Sequence, residues 1–384
     1  MLKYRKRVHE ELRVGVFIPT FNVYGGGELV AAVIANTLAQ NSHDVILFTN
    51  EKINQREIKN FFGKRLNPSI KAIVHPPHIQ PKGLLDFYQS IFRSYILKSK
   101  CDIWIDVYSD RIFPWTNLSY IHFPFLNHYN YKPRFPYMKS PHLLPIGGLP
   151  YTFFEKKLLN PNGKSLIANS NYTANEIKKN FGKKPTLLYP PVPSIFFDNN
   201  PETLTKNERK NLVVTISRFD PIKRLEKIPY IASLTDKNIK FAIIGRVHLK
   251  KTLLSLKELT KKLGLTDRIL FFTDISRLEM KKILQDAKIY LHTRVNEHFG
   301  ISVVEAMAMG CVPIVHDSGG TREFVPKNLR YQTIPEAAAK ITKEVHNWSH
   351  RKAIESAKAA EKFNEENFSK DFMKLFNQYV DQYL

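Results

Sequence analysis

Asn296–Gly320 reads NEHFGISVVEAMAMGCVPIVHDSGG. Two carboxylates, Glu297 and Glu305, stand eight positions apart in it. Phe299-Gly300 ends a loop between them, and Ile301–Met309 is an apolar helix with Gly310 as its stop. Val312–Val315 reads as a buried strand and Ser318-Gly319-Gly320 as a tight turn. Upstream, Ile289–Thr293 reads as a strand. Glu297 therefore belongs to the loop at that strand's end, and Glu305 lies about one turn into the helix. The first amides of the helix, from roughly Gly300 through Ile301 and Ser302 to Val303, lack helical partners and carry partial positive charge. Such an end suits a phosphate or diphosphate. One loop thus offers a carboxylate, an anion cradle and a second carboxylate.

Outward from this stretch, strands and helices alternate. Leu212–Ser217 is a strand followed by the loop RFDPIK, which carries Arg218 and Lys223. Two cations at a strand's carboxyl end suit a diphosphate. Ile239–Gly245 is the next strand, Lys250–Leu263 a helix, and Ile269–Thr273 a strand with Ile275 in the loop after it. Ser276–Ala287 is a helix capped by its serine. The alternation predicts a parallel sheet with right-handed crossovers. Pro335–Trp348, Ser349–Asn367 and Ser369–Leu384 read as three closing helices.

The N-terminal half has the same grammar. Leu12–Pro19 is a buried strand, Thr20–Gly27 a loop ending in three glycines, and Glu28–Gln40 a helix with Val30, Val33, Ile34, Thr37 and Leu38 at helical spacing. The glycines do not form G-x-G-x-x-G, so no dinucleotide site is read there. Gly26 and Gly27 instead permit close backbone approach. Strands follow at Asp44–Phe48, Ile70–Val74, Asp102–Val107 and Leu118–His122. His122 ends the last of these, where open α/β sheets bind ligands. Gly83–Lys98 is an aromatic helix that either covers the sheet or lies on an anionic lipid surface. The stretch 123–154 is rich in aromatics and prolines and reads as an acceptor-facing or membrane-facing loop. Ser165–Ser170 is a strand and Tyr172–Asn180 a helix, and the polar run 198–210 holds the domain boundary.

Composition bounds the rest. The chain has 384 residues, 43% hydrophobic, which is enough for two cored domains. The formal charge of +23 implies an anionic partner: nucleic acid, anionic lipid or a nucleotide diphosphate. Two distant cysteines, Cys101 and Cys311, imply no disulfide framework and no cysteine zinc site. No apolar run approaches the length of about eighteen residues that a membrane span needs. The sequence contains no Asp-x-Asp.

The Asn296–Gly320 stretch resembles the Glu-x7-Glu signature of retaining glycosyltransferases with the GT-B fold, family 4 type. With YGGGE, YIHFP, IANSNYTANEIKK and ISRFDPIK it is most similar to the lipid-linked oligosaccharide α-1,2-mannosyltransferases, the asparagine-linked glycosylation protein 11-like group. The resemblance implies two Rossmann-like α/β/α domains facing a cleft, 1–198 on the acceptor side and 199–366 on the donor side. The last helix, 367–384, would dock on the first domain through Phe372, Leu375, Phe376 and Tyr379. It implies that His122, Arg218, Lys223 and Glu297 act in catalysis and, given the absence of the Asp-x-Asp that metal-dependent transferases use, that cations and dipoles stabilise the leaving group with no metal or other cofactor. Gly26, Gly27, Ser217, Gly245, Ile275 and the run Phe299–Val303 would line the donor, and Glu305 would hold its ribose. It implies GDP-mannose as donor, a lipid-linked glycan as acceptor, and a peripheral place at the cytosolic face of an anionic membrane. A UDP-glucose or UDP-N-acetylglucosamine transferase, or a GT-B epimerase or phosphorylase, would share nearly every residue cited. A nucleic-acid binder would explain the charge, but the two glutamates would repel phosphates.

Overall fold

A computed structural model describes residues 11–18, 21, 25–49, 52–74, 92, 95–96, 98–107, 115–124, 165–197, 204–205 and 208–384. The helix expected over 83–98 and the loop expected over 123–154 lie almost wholly outside the described residues, as does most of the boundary expected over 198–210.

Strands β1 (Arg13–Phe17), β2 (Asp44–Thr49), β3 (Lys71–Val74), β4 (Ile103–Asp106), β5 (Leu118–Ile121), β6 (Ser165–Ala168) and β7 (Thr186–Leu187) form the first sheet, in the order β3-β2-β1-β4-β5-β6-β7. Every pairing in it is parallel. Helices α1 (Gly26–Gln40), α2 (Gln55–Phe62) and α3 (Asn171–Phe181) are interleaved with them. Strand β1 is apolar on both faces because it is central and covered on both. Gly15 within it lies where a Cβ would come 2.8 Å from Cys101 Sγ and 2.9 Å from Trp104 Cε3.

The second sheet runs β10-β9-β8-β11-β12-β13, also all parallel. Its strands are β8 (Lys210–Ile216), β9 (Lys240–Gly245), β10 (Ile269–Thr273), β11 (Ala287–His292), β12 (Val312–His316) and β13 (Arg330–Tyr331). Helices α4 (Lys227–Ser233), α5 (Lys250–Lys262), α6 (Arg277–Asp286), α7 (Ile301–Ala308), α8 (Ile334–His346) and α9 (His350–Glu361) accompany them, and α10 (Glu365–Tyr383) closes the chain. Both sheets reverse strand order beside their first strand, between β1 and β4 and between β8 and β11. Such a switch point opens a crevice beyond the carboxyl ends of the strands.

Helix α10 completes the first domain. Phe368, Phe372, Phe376 and Tyr379 are buried in one cluster with Val14, Val30, Ile34 and Leu118. Tyr379 Oη accepts a 2.8 Å hydrogen bond from Asn117, and Ser369 Oγ lies 2.8 Å from Thr37 Oγ1. Leu375, expected on the docking stripe, is only partly buried. The return crossing runs beside the outgoing one: Val192 N donates to Phe363 O at 2.9 Å.

The helices began elsewhere than expected in two ways. Helix α1 starts at Gly26, because Glu28 Oε2 accepts from Gly25 N at 2.9 Å and draws the glycines into the first turn. Helices α2 and α4 were not read from the sequence. Helix α2 had the signals, with Asn54 accepting from Arg56 N and Glu57 N and Gly63 at φ +79° ending it.

Candidate active site

The switch point of the second sheet brings the loops after β8 and β11 together. Asn296, at φ +55°, and Gly300, at φ +101°, turn the second loop between β11 and α7. Glu297 lies at its centre with both carboxylate oxygens in use. Oε2 is 3.1 Å from Lys223 Nζ and 3.1 Å from His292 Nε2. Oε1 accepts from Arg294 Nη1 at 3.0 Å and from His298 N at 3.1 Å. Lys223 is fixed in turn by Thr293 Oγ1, which donates to its carbonyl at 2.7 Å. Arg218 lies near enough to act electrostatically on Lys223 and, across the crevice, on Glu28.

The charges follow from this geometry. Burial opposes ionisation of Glu297, but Arg294, Lys223 and His292 outweigh it and hold the carboxyl well below its usual range. Burial lowers Lys223 to about 8, with Glu297 opposing and Arg294 and Arg218 adding to the fall. Burial also lowers His292 and His298.

The helix tip is partly committed. Val303 N donates to Gly300 O at 2.9 Å, so the expected run of open amides stops at Ser302. No hydrogen bond within the described structure engages the amides of Gly300, Ile301 or Ser302. The Ser302 hydroxyl accepts from Tyr290 Oη at 2.8 Å.

Several expected site residues sit differently from their expected roles. Phe299 is a core residue, packed on Tyr189, Phe324 and Phe363, so it offers backbone alone to a ligand. The Val303 side chain is likewise in the core. Gly245 is required by Ser217, whose carbonyl oxygen fills the place of a Cβ. Glu305 faces Arg277: its Oε1 is 2.7 Å from Nη1, with the carboxylate side chain 2% exposed. Burial raises Glu305 and the guanidinium opposes that. Ile275 packs at the edge of the second domain's core, beside Asp274 at φ +55°.

The first domain faces this loop directly. A Cβ on Gly26 would come 2.7 Å from Ile301 Cδ1, and one on Gly27 would come 3.4 Å from His122 Nε2. That Nε2 is buried with no hydrogen-bond partner among the described residues, while the ring bonds to the Val107 backbone. Burial lowers His122 to about 4, so the imidazole is neutral at neutral pH. Beside it, Phe123 stacks flat on His298, with centroids 4.2 Å apart and planes 7° apart.

Five contributors escaped the sequence reading: His292, Arg294, His298, Arg277 and Glu323. Arg294 stands three positions before Glu297, a spacing that was a usable signal. Arg277 left no local signal. Its Nε donates to Phe61 O of the first domain at 2.9 Å while its Nη1 holds Glu305. Glu323, just past Gly319-Gly320, takes four hydrogen bonds from residues 171, 172 and 189. Among the described residues, no group of three or more His, Cys, Asp or Glu is placed to hold a metal ion.

Two parallel doubly wound domains, with the switch-point loop of one closing on the glycine turn and histidine of the other, define the GT-B fold. Residues 196–367 match the family described as glycosyl transferases group 1. The chain is similar to a Dictyostelium discoideum protein named GDP-Man:Man(3)GlcNAc(2)-PP-Dol alpha-1,2-mannosyltransferase, 28% identical over 259 residues, 61% of this chain and 51% of that protein. The protein of the same name from Xenopus tropicalis is 26% identical over 359 residues, 80% of this chain and 73% of that one. The chain therefore spans about half the length of the Dictyostelium relative. Among solved structures, a glycosyltransferase from Rickettsia africae superposes with a TM-score of 0.71 at 16% identity, covering 97% of this chain and 99% of that one. Anabaena HepE in complex with UDP and glucose superposes with a TM-score of 0.70 at 14% identity, covering 96% and 100%. Among the described residues, no helix is long and apolar enough to cross a membrane.

Proposed function

We propose that the protein is a retaining glycosyltransferase that moves mannose from GDP-mannose to a lipid-linked glycan. One observation carries the reading: Lys223, Arg294 and the His298 amide converge on Glu297 at a switch point, in the loop that leads into α7 and opposite Gly26, Gly27 and His122. The mannose and GDP in the reading are supported by the names of the relatives.

The bond from the sugar's anomeric carbon to the diphosphate oxygen breaks, and a bond to the acceptor's hydroxyl oxygen forms on the same face. The departing diphosphate oxygen takes the acceptor's proton. Negative charge grows on the diphosphate as it leaves, and Lys223, Arg218 and the α7 tip stabilise it without a divalent ion. Glu297 holds sugar hydroxyls, and Glu305 holds the ribose once Arg277 yields. Before the donor arrives, Glu297 and Lys223 neutralise one another and keep both groups in place. Neutral His122 and the first-turn backbone at Gly26 and Gly27 position the reacting centre. The acceptor's lipid places the protein peripherally at the cytosolic face of an anionic membrane, held by charge and exposed aromatics.

Transfer to a synthetic lipid-linked glycan, with GDP-mannose set against UDP-glucose and UDP-N-acetylglucosamine, tests the reading. GDP-mannose should be the productive donor, GDP the stronger competitor, and turnover should survive a chelator. Turnover with a UDP-sugar alone would replace the donor, and a magnesium requirement would replace the leaving-group account. Sedimentation with anionic liposomes should be salt-sensitive. Absence of binding at low salt would remove the membrane.

A further inference from the structure

We propose that Glu323 is a positioning residue, a latch between the domains that keeps His122 of the first in register with Glu297 of the second. The inference rests on reading the cleft as the transfer site.

Helix α3 has its N-terminal amides satisfied from two domains. Its own Ser170 accepts from Thr173 N at 3.0 Å. The two amides before it belong to Glu323: Tyr172 N donates to Oε1 at 2.9 Å and Asn171 N to Oε2 at 3.0 Å. Asn171 Nδ2 and Tyr189 Oη add bonds to Oε2 at 2.9 and 3.0 Å. A carboxylate at a helix N-terminus is favoured by both the orphan amides and the dipole. Here that preference is met only while the domains are together.

Both ends of the latch reach the site. On the second-domain side, Gly320 N donates to Glu297 O at 2.7 Å, and Ser318 Oγ accepts from Asn296 N at 2.8 Å. Backbone of residues 296 to 299 fills the space where Gly319 and Gly320 would carry a Cβ, so the two loops move as one. On the first-domain side, Thr173 Oγ1 donates to His122 O at 3.2 Å. The route Glu297–Gly320–Glu323–α3–Thr173–His122 is thus continuous. The donor's proposed contacts with Lys223, Glu297 and Glu305 lie in the second domain alone. Opening the latch therefore separates His122 from the donor without dismantling the donor's seat.

The test compares Glu323→Ala and Glu323→Gln with the parent. Spin labels at Lys178→Cys on α3 and Lys327→Cys, in a Cys101→Ser background, report the distance between the domains. The parent should give one narrow distance, Glu323→Ala a longer or broader one, and Glu323→Gln, which retains one acceptor oxygen, an intermediate one. Glu323→Ala should lower kcat about tenfold while the donor KM and the calorimetric affinities for GDP and UDP stay within about twofold. A Glu323→Ala distance identical to the parent's overturns the latch, and so does a nucleotide affinity that falls in step with kcat. The distances need no turnover, so they decide the latch even if the parent transfers no sugar.

Discussion

Lys223 Nζ lies 3.1 Å from Glu297 Oε2, and the two side chains are only 17% and 10% exposed. The pair joins the two loops of the second domain's switch point. It sets what each residue does when the other is changed.

Glu297→Ala leaves Lys223 and Arg294 buried without their carboxylate. Removing one member of a buried pair costs about 3 kcal/mol or more. Glu297→Gln keeps the volume and one acceptor oxygen. It should lose less stability yet lower transfer by about 100-fold. Turnover measured beside urea unfolding separates the two effects. Full turnover in Glu297→Gln would remove the residue from the chemistry.

Lys223 is lowered to about 8 by burial. Donor affinity that depends on its ammonium should fall as pH rises through about 8 in the parent, and Lys223→Arg should carry the fall to higher pH. Stability has the opposite sign. Between about 8 and 10.4 the unfolded chain holds a proton that the folded chain has released, so this group's contribution rises with pH across that window. Nucleotide titrations and urea midpoints from pH 7 to 10 check both.

Arg277→Ala strands the Glu305 carboxylate, which is 2% exposed. The variant should lose about 3 kcal/mol or more, and its Glu305 should titrate above the parent's. Adding Glu305→Gln should recover part of the stability, because the unpaired charge is then gone. Thermal unfolding of the double variant below the single would contradict this account.

Gly26→Ala places a methyl 2.7 Å from Ile301 Cδ1, the end of a flexible side chain. The change should weaken transfer by about tenfold, and Ile301→Ala on top should restore much of it. Failure of that rescue would mean that Gly26 matters for something other than this contact.

Phe372 is fully buried among first-domain residues, although its sequence neighbours follow the second domain. Phe372→Ala should destabilise the first domain by about 3–5 kcal/mol. GDP binding, which the proposed donor seat assigns to the second domain, should persist below the new midpoint. Two-probe unfolding, by Trp fluorescence and by nucleotide binding, reads the difference.

Much of this is legible because the signals for it are local. The apolar run in β1 and the Ser276 cap of α6 are each written within a few consecutive residues. So is the Glu297–Gly300 turn before α7. Phe372, Phe376 and Tyr379 marked the stripe of α10 by helical spacing alone. Helix α2 was missed because it is short and its charged residues mask the buried Ile58 and Phe62. The direction of the Phe299 ring carried no such signal, because a phenylalanine beside a site glycine reads the same whether its ring points to ligand or to core.

Local patterning sets the alternation of strand and helix, hence two doubly wound sheets, and puts cations, carboxylates and glycines at strand ends. Periodicity and caps are short-range physics, and they carry that much. Tertiary structure alone decided the pairing: Lys223 with Glu297 across 74 residues, Arg277 with both Glu305 and Phe61, and Glu323 with an amide 152 residues away. Those partners are chosen by how two packed domains meet, and each contact becomes favourable only after both cores have fixed the backbones that carry it.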